Sequence, residues 1–157
     1  SIRYVSVDFN SEDWLEALER EGFKRGERTL FIWEGVTYYL DSEAVSGTLR
    51  GIASCRNSLL VLDYFTLPAV TGIGAATLHG TRALHYYLRW IGEPLTFGVN
   101  DSESGGGHKA WLEPFGFRVM HHLSADEMEA TYLSDFNFRR RLRTLGCGNF
   151  LIAHSPP

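Results

Sequence analysis

Apolar and polar residues along this chain fall into two kinds of block. "IRYVSVDF" (2–9) is rich in β-branched and aromatic residues and predicts a strand. "TLFIWEG" (29–35) and "SLLVLDYF" (58–65) are continuous apolar runs. Such runs suit strands buried on both faces, as in a parallel sheet. Between them the spacing turns helical. Trp14, Leu15 and Leu18 through Phe23 form one apolar face that Gly22 stops. Asn10 or Ser11 is the expected cap, with Glu12 and Asp13 at the positive helix end. Asp41 or Ser42 then caps a helix that carries Val45, Leu49 and Ile52 on one side. The result is strand–helix–strand–helix–strand with a repeat of about 30 residues, as consecutive βαβ units require.

After Pro68 the pattern changes. "AVTGIGAATLHG" is punctuated by glycines and predicts a loop or a broken helix, and 77–91 predicts a helix with Leu78, Leu84, Leu88 and Ile91 near one face. "LTFGV" (95–99) is a short extended piece and "NDSESGGGH" a loop. "HKAWLEPFGF" (108–117) predicts a short helix that packs Trp111, Leu112 and Phe115. "RVMHHL" (118–123) follows as a strand, "SADEMEATYL" as a capped helix, and "NFLIAHS" (149–155) as a final strand. No repeat or linker divides the chain, so residues 1–157 read as a single domain.

Composition narrows the function classes. The chain has 157 residues, 44% hydrophobic and 22% charged, which suits one globular domain with its own core. A net charge of −4 argues against a nucleic acid held through its phosphates. The one basic run, "RRRLR" from Arg139 to Arg143, reads as a solvated loop or hairpin. Cys55 and Cys147 match no metal-ligand spacing, so no metal site is expected, and two thiols suit a reducing cytoplasm. No apolar run approaches the length of a membrane span and no signal peptide is visible. A chain that opens inside a strand is either very economical or lacks its front.

Ligands of open α/β sheets sit outside the carboxyl ends of the parallel strands. Three predicted strands end there in polar residues: Asp8, Glu34, and the pair Asp63-Tyr64. Neighbouring ends of this kind form a cleft lined by carboxylates and aromatics. Ionised carboxylates only accept hydrogen bonds, so they suit an amine, an amide donor or ribose hydroxyls. The plainer alternative is that acidic turn residues mark where the chain re-enters water. The six histidines show no clear acidic partner in the sequence. His121 and His122 are adjacent on a strand and should point opposite ways, while His79 and His85 do not share a helix face. Each is expected to be solvated or satisfied, and no general base is named.

"VSVDF", "TLFIWEGVTYYLDSEAV" and "LLVLDYF" together resemble the leucine carboxyl methyltransferase family of S-adenosylmethionine-dependent O-methyltransferases. The resemblance is most specific at "FIWEGVTYYL" and extends loosely through "EPLTFGV", "WLEPFGF", "ADEMEATYL" and the last strand. It implies an α/β fold: a Rossmann-like methyltransferase sheet of order 3-2-1-4-5-7-6, mostly parallel, with the last strand antiparallel. It implies S-adenosyl-L-methionine as cofactor. Asp8 and Phe9 would contact the adenine, and Glu34 would pair with the methionine ammonium. Tyr38, Tyr39 and Tyr64 would orient the acceptor, a small molecule or a protein C-terminus that offers a carboxyl or hydroxyl group.

The chain departs from that family in having no glycine-rich first turn and no acid-terminated second strand. The resemblance therefore covers a C-terminal half that lacks the first two strands, and this chain alone is expected to be inactive. The open sheet edges then predict that strand 2–9 pairs directly with strand 29–35, or that two chains form a homodimer edge to edge. The alternatives are a non-catalytic binding or dimerisation module derived from the same fold, and a doubly wound protein that binds a nucleotide without transferring anything.

Overall fold

The computed structural model of the chain describes residues 2–101, 106–134 and 143–157. Four strands form one open mixed sheet: β1 (Leu30–Trp33), β2 (Leu59–Phe65), β3 (Arg118–Leu123) and β4 (Gly148–His154), in the order β1-β2-β4-β3. β1 and β2 are parallel, and β4 runs antiparallel to both β2 and β3. Three strands therefore share one direction and the last opposes them. This is the order 4-5-7-6 expected for the second part of the sheet, so the fold is an incomplete Rossmann-like α/β sheet.

The helices follow the sequence pattern with local corrections. α1 (Trp14–Arg20) is capped by Asp13, whose carboxylate accepts from the Leu15 and Glu16 N–H groups, and not by Asn10 or Ser11. α2 (Ser42–Ser54) is capped by Asp41 as expected and buries Val45, Leu49 and Ile52. The glycine-punctuated stretch is a broken helix: α3 (Leu67–Thr71) ends at left-handed Gly72, and a 3-10 turn follows over Ala75–Thr77. α4 (Thr81–Trp90) begins later than predicted, after Gly80. α5 (Gly107–Leu112) runs into a 3-10 turn at Glu113–Phe115. α6 (Ala125–Met128) carries a complete capping box between Ser124 and Glu127, and its chain widens into a π turn over Glu129–Leu133. Most of the basic run at 139–143, and part of the loop before α5, lie outside the described residues.

Residues 2–9 do not form the predicted strand. Ile2 and Tyr4 are 80% and 92% exposed, the segment has no ladder partner, and Asp8 opens a turn into α1. β-forming composition does not make a strand when no neighbour pairs with it. The predicted pairing of 2–9 with the β1 strand is therefore absent.

Alternation in β2 separates the two faces of the sheet. Leu60, Leu62 and Tyr64 point into the main core with Val45, Leu49, Ile52, Leu112, Phe117 and Leu151. A second, smaller core joins Ala69, Leu88, Leu95 and Cys147. The opposite face is poorly covered: Leu30 and Ile32 of β1 are 56% and 66% exposed, and their register neighbours Leu59, Val61 and Ile152 are only half-buried. No helix of the described residues is long and apolar enough to cross a membrane.

Candidate functional site

β1, β2 and β3 all deliver their carboxyl ends to the same edge of the sheet. Tyr64 stands at the end of β2 and His122 at the end of β3. An irregularity in the β3–β4 ladder between Val119 and His121 resets the side-chain alternation there. His122 turns inward and is half-buried, while His121 stays exposed. After β2 the chain returns through a single parallel bridge, Thr66 to Val99, which places Asp101 beside Tyr64. α5 then supplies His108.

These four side chains form one hydrogen-bonded cluster. The Tyr64 hydroxyl lies 2.6 Å from Asp101 Oδ2 and 2.9 Å from His122 Nε2. His108 Nδ1 lies 3.0 Å from the same Asp101 oxygen, and the Gly107 N–H donates to Asp101 Oδ1 at 2.9 Å. The His108 and His122 rings stack with centroids 3.9 Å apart and planes 3° from parallel. Trp111 packs edge-on against Tyr64, with centroids 5.7 Å apart. The cluster borders a hollow of about 1200 Å³ that Thr66, Lys109, Met120, Asp126, Glu127 and Asn149 also line.

The protons follow from counting donors. Burial pushes the Asp101 carboxyl upward, but hydrogen bonds from Tyr64 and His108, attraction to His108 and the Gly107 N–H outweigh it and hold it below its ordinary value. Asp101 is thus an acceptor only. Burial, then the hydrogen bond to Asp101 and its charge, raises Tyr64 far above the ordinary phenol range, so Tyr64 keeps its proton and donates it to Asp101. With its one hydrogen committed, Tyr64 oxygen can only accept from His122 Nε2–H. Burial and the neighbouring His108 lower His122, although Asp101 and Glu127 act the other way. His122 is then a neutral imidazole protonated at Nε2, with its lone pair at Nδ1. Among the described residues no group hydrogen-bonds to that Nδ1.

Asp101, His108 and His122 offer three potential metal ligand atoms within 4.8 Å of one another. Their geometry does not fit one ion. A metal lies in the plane of each imidazole it binds, about 2.0–2.1 Å from the nitrogen. Two stacked, parallel rings have no common point in their planes. As it stands, the cluster orients protons.

The residues expected to hold the cofactor are not brought together. Asp8 is exposed, and its carboxylate is engaged by Ser11 Oγ at 2.7 Å and the Asn10 N–H at 3.0 Å. Phe9 stacks on Trp14 and borders a separate hollow of about 460 Å³ between α1 and α2. Glu34 is exposed, and neither it nor Asp8 lines either of these two hollows. Of the three, only Phe9 borders either of these two hollows. Asp63 plays a structural part. Its Oδ1 accepts from the Gly35 N–H at 2.8 Å, fixing the turn after β1 where Gly35 has φ +76°. Tyr38 lies flat on Phe65, with centroids 4.1 Å apart, and burial first, then Asp63, raises it to about 12. Tyr39 is 42% exposed beside it. Of the three tyrosines, Tyr64 alone belongs to the polar cluster.

The expectation that the histidines lack acidic partners fails for His108 and His122. The signal was available: the strand-end rule applied to Asp8, Glu34 and Asp63-Tyr64 applies equally to "RVMHHL", whose penultimate residue is His122. Asp101, seven residues ahead of His108 in a loop returning to the same edge, completes the pattern.

Comparison with known proteins gives a partial match. Residues 1–53, about a third of the chain, match the family model of leucine carboxyl methyltransferase. No curated protein matches the chain. Among solved structures it is similar to a possible exported protein from Bordetella parapertussis, at 15% identity and a TM-score of 0.48. That likeness covers 85% of this chain and 40% of the other, so the chain spans less than half the length of that protein.

Proposed function

We propose that this chain is the C-terminal part of an S-adenosylmethionine-dependent O-methyltransferase, and that the hollow at the carboxyl ends of β2 and β3 receives the methyl acceptor. The observation that carries this reading is the family match over residues 1–53, which includes "FIWEGVTYYL". The strand order supports it, as do exposed Leu30 and Ile32 beside half-buried Val61, because sheets with parallel strands are normally covered on both faces. The cofactor, when bound, supplies an activated methyl group. In this reading residues beyond this chain share in the cofactor site with Asp8, Phe9 and Glu34. The chain's own residues position and polarise the acceptor: Tyr64, Asp101 and His108 hold His122 in one tautomer in the lining of the hollow. Two free, buried cysteines favour a reducing compartment such as the cytoplasm.

The separation of exposed Asp8 and Glu34 from the two described hollows favours a second reading, a binding or dimerisation module built on the same sheet. Calorimetric titration with S-adenosylhomocysteine separates the two. The methyltransferase reading expects no heat of binding with this chain and saturable binding with a longer polypeptide that adds strands beside β1. Failure of the longer polypeptide to bind overturns it.

A further inference from the structure

We propose, resting on the methyltransferase reading, that the acceptor is a neutral hydroxyl compound, a phenol or alcohol, and that His122 Nδ1 accepts its proton. A carboxylate acceptor is already an anion at neutral pH and needs no base. A hydroxyl does, and a positioned histidine is the usual provider. The cluster is arranged for the hydroxyl. Tyr64 O–H is committed to Asp101, which obliges His122 to present its Nε2–H inward and its bare Nδ1 outward from that bond. Such a nitrogen can accept from O–H but cannot donate to a carboxylate.

The charges lining the hollow agree. Asp101, Asp126 and Glu127 line the hollow together with Lys109, the single fixed cation among its described lining residues. A carboxylate entering there would meet like charge, whereas a neutral hydroxyl would not. The groups packed about His122 are Tyr64 from β2, Asp101 from the loop, His108 from α5, and Glu127 and His121 nearby. In the proton step the acceptor O–H bond breaks, its electron pair stays on oxygen, and the proton joins Nδ1. The imidazolium so formed has Asp101 Oδ2 3.8 Å from its Nε2 as counter-charge. Burial and His108 keep the resting imidazole neutral.

Long-range 1H–15N correlation on the histidine-labelled chain tests this without requiring turnover. His122 is expected to be protonated at Nε2 and bare at Nδ1 at neutral pH. Titrated phenol should move the Nδ1 resonance saturably, and benzoate should leave it in place. A protonated Nδ1 in the free chain, a benzoate response equal to that of phenol, or no phenol response up to its solubility would overturn the proposal. If phenol acts as expected but a longer polypeptide fails to bind S-adenosylhomocysteine, the methyltransferase reading falls and the hydroxyl site stands. The reverse pair of results removes only the hydroxyl site.

Discussion

Replacing Tyr64 with Phe removes one oxygen and leaves the ring in its place against Trp111. The lost oxygen makes two hydrogen bonds. One is charge-assisted, to Asp101 at 2.6 Å, and one is received from His122 at 2.9 Å. The first is worth about 1.5–3 kcal/mol and the second about 1 kcal/mol net. Asp101 keeps its bonds from His108 and Gly107, and the His122 side chain is 19% exposed, so water recovers part of the loss. We expect Tyr64→Phe to destabilise the chain by roughly 2–3 kcal/mol, a fall in Tm of about 5–10 °C. Urea unfolding followed by far-UV circular dichroism measures this, with the m-value unchanged. The variant also deprives Asp101 of one of the bonds that lower it. A carboxylate depressed in the folded state contributes stability above its unfolded pKa and loses it as pH falls through the folded value. The acid-dependent loss begins at the unfolded value in both proteins, but in the variant it should be smaller and be complete at a higher pH. A cost below about 0.5 kcal/mol, typical of surface sites, together with an unmoved acid limb, would refute the hydrogen-bonded cluster.

Gly107→Ala places a methyl group against the Asn100 backbone carbonyl, so the loop holding Asp101 must move. The expected result is loss of the single His122 tautomer by 15N NMR at a stability cost of about 1–3 kcal/mol. Gly35→Ala forces an L-residue to φ +76° and should cost about 1–2 kcal/mol by urea unfolding. His122 is depressed below its ordinary 6.5, so its contribution is complete above pH 6.5 and is lost as pH falls through the folded value. The stability of the parent should fall relative to His122→Gln as pH is lowered from 6.5, whereas a difference that is flat with pH would contradict the burial of neutral His122.

Local patterns carried much of the fold. Continuous apolar runs located β1 and β2, and the Asp41 cap with Val45, Leu49 and Ile52 located α2, because burial and capping act within a few residues. The failure at 2–9 has the opposite cause. A strand exists through its neighbour, and Ile2 and Tyr4 have none. The site was legible in part for the same reason. Strand ends are visible in sequence, and Tyr64, near the end of β2, belongs to the hydrogen-bonded cluster. Asp8 and Glu34 looked equivalent to it, but which strand ends share a hollow depends on what lies between them in three dimensions. His108 and His122 are 14 residues apart in the chain and meet Asp101 only through the return loop after the Thr66–Val99 bridge and the ladder irregularity in β3. The partner of Asp63 is not legible in the sequence, because the Gly35 N–H lies 28 residues away, beyond the end of another strand.

In the proposed methyltransferase the Tyr64–Asp101–His108–His122 cluster faces the reacting end of a bound adenosyl sulfonium. A crystal structure of a longer polypeptide with S-adenosylhomocysteine tests it most directly. The ligand sulfur is expected to open onto the hollow that His122 borders. A sulfur at the amino ends of the strands, or a hollow filled by the protein's own preceding segment, would contradict it.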